Sequence, residues 1–432
     1  MSKQISLFRI IFRFPIIRTK NTLSTRCRIV SLLVAWFVWA GGVPGAFCEP
    51  ANFPSLLSSL EAIGPLDFCG ERVPLEIQEV RERLEKETLL SVWNRPQVIL
   101  WLKRSRRYLP HIEEMLRDRK MPDDLKFVAV VESAFLPHAR SAKGAVGFWQ
   151  FLPDTGRKYG LVINRQIDER RNLFASTRAA LQYLKELHST FGSWTLAVAG
   201  YNMGEDGLSA EILEQESNDY YNLYLPLETQ RFLFRILSVK LIISAPEEFG
   251  FKIMEEQYYP PITFDEVRID CTEKIPIRII AQAARNHFKV VKDLNPEIRG
   301  HYLPSGNHDI LIPNGAAEGF QERFRRLMKD FLAELRGRIY VIEKGDSLSL
   351  IAGKFNIPLS ALIIWNDLDP RSPIYPGNEL IICTEDTKPC VADITTKRIP
   401  EGPERRQPLV LEKQQISTEV DGLLDPYAII PF

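Results

Sequence analysis

One carboxylate stands inside an apolar run, Val128-Ala129-Val130-Val131-Glu132-Ser133-Ala134-Phe135. A carboxyl group held against aliphatic and aromatic neighbours loses hydration. Its charged form is then disfavoured, and its pKa rises toward the range where it can donate a proton near neutral pH. A glycosidase acid needs this property. Most lone glutamates are solvated or cap a helix, but positions 125 to 135 offer no polar face wide enough to hold Glu132 in bulk water, Lys126 and Ser133 apart. A buried glutamate without a purpose is costly.

Ordinary glycosidases set two carboxylates across the bond. The nearest acids here are Asp154, Asp168 and Glu169. Asp154 follows Pro153 and reads as a helix cap, and Asp168-Glu169-Arg170-Arg171 reads as a charged turn. None shares the apolar setting of Glu132, which favours a mechanism with a single carboxylate. Downstream lie Ser141-Ala142-Lys143-Gly144-Ala145-Val146-Gly147-Phe148-Trp149-Gln150-Phe151 and Gly200-Tyr201-Asn202-Met203-Gly204. Gln150 and Asn202 carry amides that both donate to and accept from hydroxyl and N-acetyl groups, and Trp149 and Tyr201 offer flat surfaces to sugar faces. The plainer roles are core packing for Trp149 and Tyr201, a loop cap for Ser141, and loop shaping for Gly144 and Gly147.

Helices must position these residues. Residues 72 to 120 read as helices with apolar Val98, Leu102 and Leu109 among Arg and Lys, and with Pro96 and Pro110 marking turns or helix starts. From 121 to 250 the helical period continues through an amphipathic run, Leu173 to Leu187, and a small-residue-rich buried run, Trp194 to Tyr201.

After about residue 255 the character changes and an internal repeat emerges at an offset of about 71. Ile280-Ala281 aligns with Ile351-Ala352, Leu294-Asn295 with Trp365-Asn366, and Gly306 with Gly377. Each copy reads β-α-α-β. In the second, Lys344-Gly345-Asp346-Ser347-Leu348 supplies a turn and a helix cap from Asp or Ser. The first has Lys274-Ile275-Pro276 there and is the degenerate copy. Residues 318–336 read as an amphipathic connecting helix, and 391–432 as a disordered tail.

With 432 residues, 45% hydrophobic and 25% charged, the chain is too long for one domain of usual size. Lys plus Arg balance Asp plus Glu at 55 each, so no basic field favours nucleic acid, and a neutral or mixed-charge polymer fits better. Residues 1–48 run from basic through apolar to small residues, the order of an export signal. About a dozen apolar residues is short for a bilayer span, so removal is favoured over retention as an anchor. The six cysteines (27, 48, 69, 271, 383 and 390) have no zinc-like spacing, so no metal or cofactor is expected, and export would permit Cys383 to pair with Cys390.

The three blocks around Glu132, Ser141 to Pro153 and Gly200 to Gly204, in this order and followed by the repeat, resemble the soluble lytic transglycosylase catalytic domain with LysM modules. Within it they are most similar to the membrane-bound lytic murein transglycosylase D family. The resemblance covers roughly residues 95–383. It implies a mainly α, lysozyme-like catalytic domain at 95–250 after a helical lead-in at 49–94. Small α+β (βααβ) LysM-type modules follow at 264–313 and 338–383. It further implies that Glu132 is the sole catalytic acid and base, with Ser141, Gly147, Gln150, Tyr201, Asn202 and Phe232 lining a sugar cleft. The substrate would be peptidoglycan glycan strands in the bacterial cell envelope, cleaved without water to 1,6-anhydromuramic ends. The N-terminus could associate with the membrane, and oligomeric state is left open. Two departures stand out: Glu228-Thr229-Gln230-Arg231-Phe232 replaces a family Glu-Thr-x-x-Tyr, removing a tyrosine hydroxyl, and Gly200 replaces a usual alanine. A hydrolytic muramidase and a noncatalytic wall-binding scaffold are the competing readings.

Overall fold

The computed structural model describes residues 55–335 and 339–382. The expected export signal, the Cys383–Cys390 pair and the expected disordered tail lie outside the described residues. The first long helices are α1 (Gln78–Trp93) and α2 (Arg95–Asp118), then α3 (Lys126–Ser133), α4 (Pro153–Lys158), α5 (Leu173–Phe191), α6 (Trp194–Met203), α7 (Glu205–Gln215) and α8 (Leu227–Ser244). Helix α8 carries a broad apolar surface. Phe232, Leu233, Phe234, Ile236, Leu237, Val239 and Ile242 are all buried, as expected of a helix with neighbours on several sides. It packs on α1, α3 and α6 and forms the axis of the helical domain.

In α2 the buried positions Val98, Leu102, Ser105, Leu109, Ile112 and Leu116 repeat every three or four residues and form one continuous stripe. Pro96 starts the helix as expected, but Pro110 lies inside it, which corrects the expectation of a boundary there. Pro110 is exposed while Leu109 and Ile112 on the inner face stay buried, so packing of the stripe offsets the missing backbone donor. Caps fix the next boundaries. Asn172 accepts from the Ala175 amide (2.8 Å) at the start of α5, Gly192 ends it at φ 80°, and Ser193 accepts from the Leu196 amide (3.2 Å) to start α6.

Past the helices, strand β1 (Phe264–Cys271), helices α9 (Ile277–Ala283) and α10 (Phe288–Leu294), and strand β2 (Gly306–Pro313) make a small α+β unit. The strands pair antiparallel with Val267 opposite Ile310, and Val267 and Ile269 face inward while Arg268 and Asp270 face out. Helix α11 (Phe320–Leu335) lays Phe320, Phe324, Leu327 and Phe331 on this unit's core. A second unit follows, with β3 (Ile339–Val341), α12 (Leu348–Lys354), α13 (Leu359–Trp365) and β4 (Glu379–Ile381).

The aligned asparagines explain the repeat. Asn295 donates to Val291 O and Leu311 O (both 2.7 Å) and accepts from Leu311 N (2.9 Å). Asn366 does the same with Leu362 O, Ile381 O and Ile381 N. One amide thus ties the second helix to the last strand in both units. In the second unit the helix cap is Ser347, which accepts from Leu350 N (3.2 Å). Asp346 instead takes the Glu343 amide and the Tyr340 hydroxyl.

The buried Glu87 of α1 pairs side-on with Arg231 of α8 (Nε to Oε1 2.7 Å, Nη2 to Oε2 3.1 Å) and so fastens the lead-in to the central helix. Glu87→Ala removes the carboxylate partner of a largely buried guanidinium. It should lower unfolding stability by on the order of 3 kcal/mol, measured by urea denaturation. Glu87→Gln should recover part of that loss.

Candidate active site

Glu132 is the penultimate residue of α3, and the chain turns sharply just after it. Ala134 and Phe135 take left-handed conformations (φ 50° and 60°), and the Ala134 amide closes the helix on Val130 O at 2.8 Å. The helix end is pinned from two sides. Ser133 donates to Phe148 O (2.8 Å), and Arg104 donates to Ala134 O (3.0 Å). Glu132 itself is half-buried, and among the described residues no side chain hydrogen-bonds or ion-pairs with its carboxyl. Burial pushes its pKa from an ordinary 4.5 up to about 8. The Arg235 guanidinium opposes that rise, and Glu228 adds to it.

The loop from Ala139 to Phe151 has no regular element and is held by its own hydrogen bonds. Ser141 Oγ accepts from Ala145 N (3.0 Å), Gly147 N donates to Ala139 O (3.0 Å), and Gln150 Nε2 donates to Ala139 O (3.2 Å) and Gly147 O (2.9 Å). Gly147 is required by geometry. Its φ is 88°, and a Cβ there would sit 1.8 Å from Arg170 O. Of the four residues expected to form a charged turn, Asp168 and Arg170 are buried, while Glu169 and Arg171 are only partly so. Asp168 and Arg170 make a two-point ion pair (2.8 and 2.9 Å), and Arg170 Nη1 donates to Gly144 O and Phe151 O, both at 3.1 Å. Sequence reasoning missed this clamp, because four adjacent charges look the same whether solvated or paired inside.

Helix α6 brings the third block. The Tyr201 hydroxyl donates to Trp149 O (2.7 Å), and its pKa is driven well above the usual range by burial and by the nearby Glu132. Asn202 Oδ1 accepts from Thr229 Oγ1 (2.9 Å), which joins α6 to the start of α8. Trp149 is fully buried with Nε1 donating to Thr177 Oγ1 (2.9 Å), so it is a core aromatic. Phe232 is also buried, at 3% exposure. Tyr201, Gln150, Asn202 and Glu132 therefore belong to three elements that converge. Ser141 and Gly147 shape the loop between them.

Sequence reading also passed over Arg235. It is a cation in the apolar run Leu233 to Leu237, seven residues after Glu228 and so on the same helix face, and its guanidinium donates to Val131 O at 3.5 Å. That spacing was the available signal. Thr229 was visible in the Glu228-Thr229 block, but its role as the partner of Asn202 needed coordinates.

The other acids are occupied elsewhere. Exposed Asp154 sits in the first turn of α4 and pairs with Arg157, so it does not cap the helix with its side chain. Glu169 takes the Val162 amide. Glu228 is exposed and lies 3.9 Å from Lys143, a residue of the 139–151 loop. Among the described residues no group of three or more His, Cys, Asp or Glu is placed to hold a metal ion.

The transglycosylase SLT domain family model matches residues 110–224 and the LysM domain model residues 340–382. Membrane-bound lytic murein transglycosylase D of Escherichia coli (strain K12) is 30% identical over 332 residues, covering 73% of this chain and 72% of that protein. The protein of the same name from E. coli O6:H1 (strain CFT073) matches to the same extent. A solved structure of lytic transglycosylase Slt from Pseudomonas aeruginosa shares 22% identity over 36% of this chain and 26% of its own, with a TM-score of 0.27, which establishes no common fold by itself. Fold, domain content and relatives together define a lytic transglycosylase with a mainly α, lysozyme-like domain and a LysM domain. Within that class, the chain belongs to the membrane-bound lytic murein transglycosylase D family.

Two outcomes follow from the geometry. Gly147→Ala meets both a positive φ and the Arg170 carbonyl. It should cost at least about 2 kcal/mol and strip activity from the protein that remains folded, as read by thermal melting beside a turnover assay. For Glu132, a carboxyl whose pKa rises on folding stabilises the fold fully below its unfolded value and progressively less as pH climbs through the folded value. Glu132→Gln removes that dependence. Its stability should match the parent near pH 4 and exceed it increasingly between pH 5 and 8, by up to about 1.4 kcal/mol per pH unit. Parallel melting curves in both variants would show no such divergence if the side chain were solvated.

Proposed function

We propose that the chain cleaves the β-1,4 bond between N-acetylmuramic acid and N-acetylglucosamine without water, leaving 1,6-anhydromuramic ends, and that Glu132 is the residue that moves the proton. The observation carrying this reading is the Glu132 carboxyl itself. It is desolvated, raised to about 8 and free of hydrogen-bond or ion-pair partners among the described residues, so near neutral pH it holds a proton that nothing else claims. Protonated Glu132 donates to the bridging oxygen as the glycosidic bond breaks. The substrate's own acetamido oxygen stabilises the positive centre at C1. The Glu132 carboxylate then takes the proton from the C6 hydroxyl as that oxygen closes on C1. The proton account balances, and the acid is restored. Arg235, whose charge favours the ionised form, keeps the carboxyl from becoming too weak an acid to give its proton up.

Ser141, Gln150, Tyr201 and Asn202 are assigned to the cleft around the sugar, while Gly147 shapes its loop and Phe232, 3% exposed, packs behind it. Phe232 supplies a ring where the family motif has a tyrosine, so a hydroxyl is absent there. Tyr201 does not replace it, because its own hydroxyl is committed to Trp149 O. The second α+β unit, which carries the LysM match, holds the enzyme on its insoluble polymer and raises the local substrate concentration. The name of the E. coli relatives and the basic-apolar N-terminus support an envelope location, exported and held at or near a membrane.

Glu228 favours a second reading. Among the described residues its charge is felt at Glu132, and a base on the far side of the bond would make the enzyme a hydrolytic muramidase. Mass spectrometry of peptidoglycan digested by the purified chain separates the two. Anhydro ends are expected, reducing muramic ends would give the hydrolase, and no soluble fragments would give a scaffold. Glu132→Gln should lower fragment release by about 100-fold or more.

A further inference from the structure

The first α+β unit is joined to the helical domain by backbone, beyond side-chain packing. Ile167 and Ile298 form an antiparallel bridge, Arg299 N donates to Gln166 O (2.8 Å), and Asp168 N donates to Glu297 O (2.9 Å). Ile167 lies in the hydrophobic core of that unit, although it belongs in sequence to the segment between α4 and α5. A second seam adds Phe264 of β1, which lies edge-on to Phe174 (5.3 Å between ring centres) and tilted against His111 (5.8 Å).

The bridged segment is the one that carries the clamp on the cleft loop. Asp168, whose amide is held by Glu297, fixes the Arg170 guanidinium at two points. Arg170 reaches Gly144 O and Phe151 O, the two ends of the loop's tight part, and its own carbonyl fills the space where Gly147 has no side chain. The loop so held bears Gln150, and it presents Phe148 O to Ser133 and Trp149 O to Tyr201. A continuous path of short contacts runs from residues 297–299 to the surroundings of Glu132.

The geometry points to a buttress. The unit at 264–313 acts through residues 166–171 to hold the Ala139–Phe151 loop in its working shape, which makes Ile298 and Asp168 positioning residues for the reaction. This rests on the cleft assigned above. It also gives a physical reason for the degenerate copy to lack the Gly-Asp-Ser turn of the second, since that unit has become part of the catalytic domain's frame.

The test compares Ile298→Ala and Asp168→Asn with Ile310→Ala in the full chain. Ile310 is equally buried in the same unit but pairs with Val267 on the strand side, away from the bridge. Hydrogen exchange followed by mass spectrometry should show amides of 139–151 opening about tenfold faster in the first two variants and within twofold of the parent in the control, even where melting temperatures fall equally. Turnover on peptidoglycan should drop about tenfold in kcat with KM little changed, and Ile298→Val should restore most of it. Unchanged loop exchange in both variants, or equal opening in Ile310→Ala, would overturn the buttress. The exchange readout does not need catalysis, so it stands or falls separately from the Glu132 assignment, whose own failure would be fragment release surviving Glu132→Gln.

Discussion

The arrangement depends on keeping one carboxyl poorly hydrated without pairing it. Helix α3 is only eight residues long, with an apolar middle from Phe127 to Val131, and it packs on α8, whose apolar residues are mostly buried. A short helix has little stability of its own, so its position comes from this packing and from the bonds that Ser133 and Arg104 make at its end. Burial raises the Glu132 pKa, and the Arg235 guanidinium, turned to Val131 O, opposes that rise without pairing with the carboxyl.

The neighbouring loop obeys a different constraint. Residues 139–151 lack regular structure, so nearly every backbone group must find a partner in the loop or from its neighbours. Side chains supply many of these partners: Gln150 for Ala139 O and Gly147 O, Arg170 for Gly144 O and Phe151 O, Ser141 for Ala145 N. A charged group as costly to bury as Arg170 is acceptable here because Asp168 meets it at two points and two carbonyls take a remaining donor. Residues that read as sugar ligands thus also serve as the loop's internal ties.

Much of this was legible in the chain. The apolar setting of Glu132, the amphipathic run that became α5, the small-residue run that became α6 and the repeated asparagines all follow from local pattern, and local pattern survives folding. The residues misread or left open were those whose environment is set by distant parts of the chain. Pro110 reads as a boundary until the stripe on either side is seen to be one buried surface. Trp149 is equally plausible in a cleft or a core, and Thr177, far along the chain, decides for the core. Asp168 and Arg170 look solvated until the Asp168 amide is seen held by Glu297 O and the Arg170 guanidinium by Gly144 O and Phe151 O.

The sequence by itself determined which residue types could do the chemistry, their order, and the periodicities that make the helices and the two βααβ units, because these depend on near neighbours and on family pattern. Only the tertiary structure decided how dry Glu132 is, which cation answers it, that Asn202 is held by Thr229, and that the first α+β unit meets the segment between α4 and α5 along a backbone seam. Each of those is a matter of desolvation or of contact between groups separated by tens to hundreds of residues, where the free energy depends on distances that no spacing along the chain encodes.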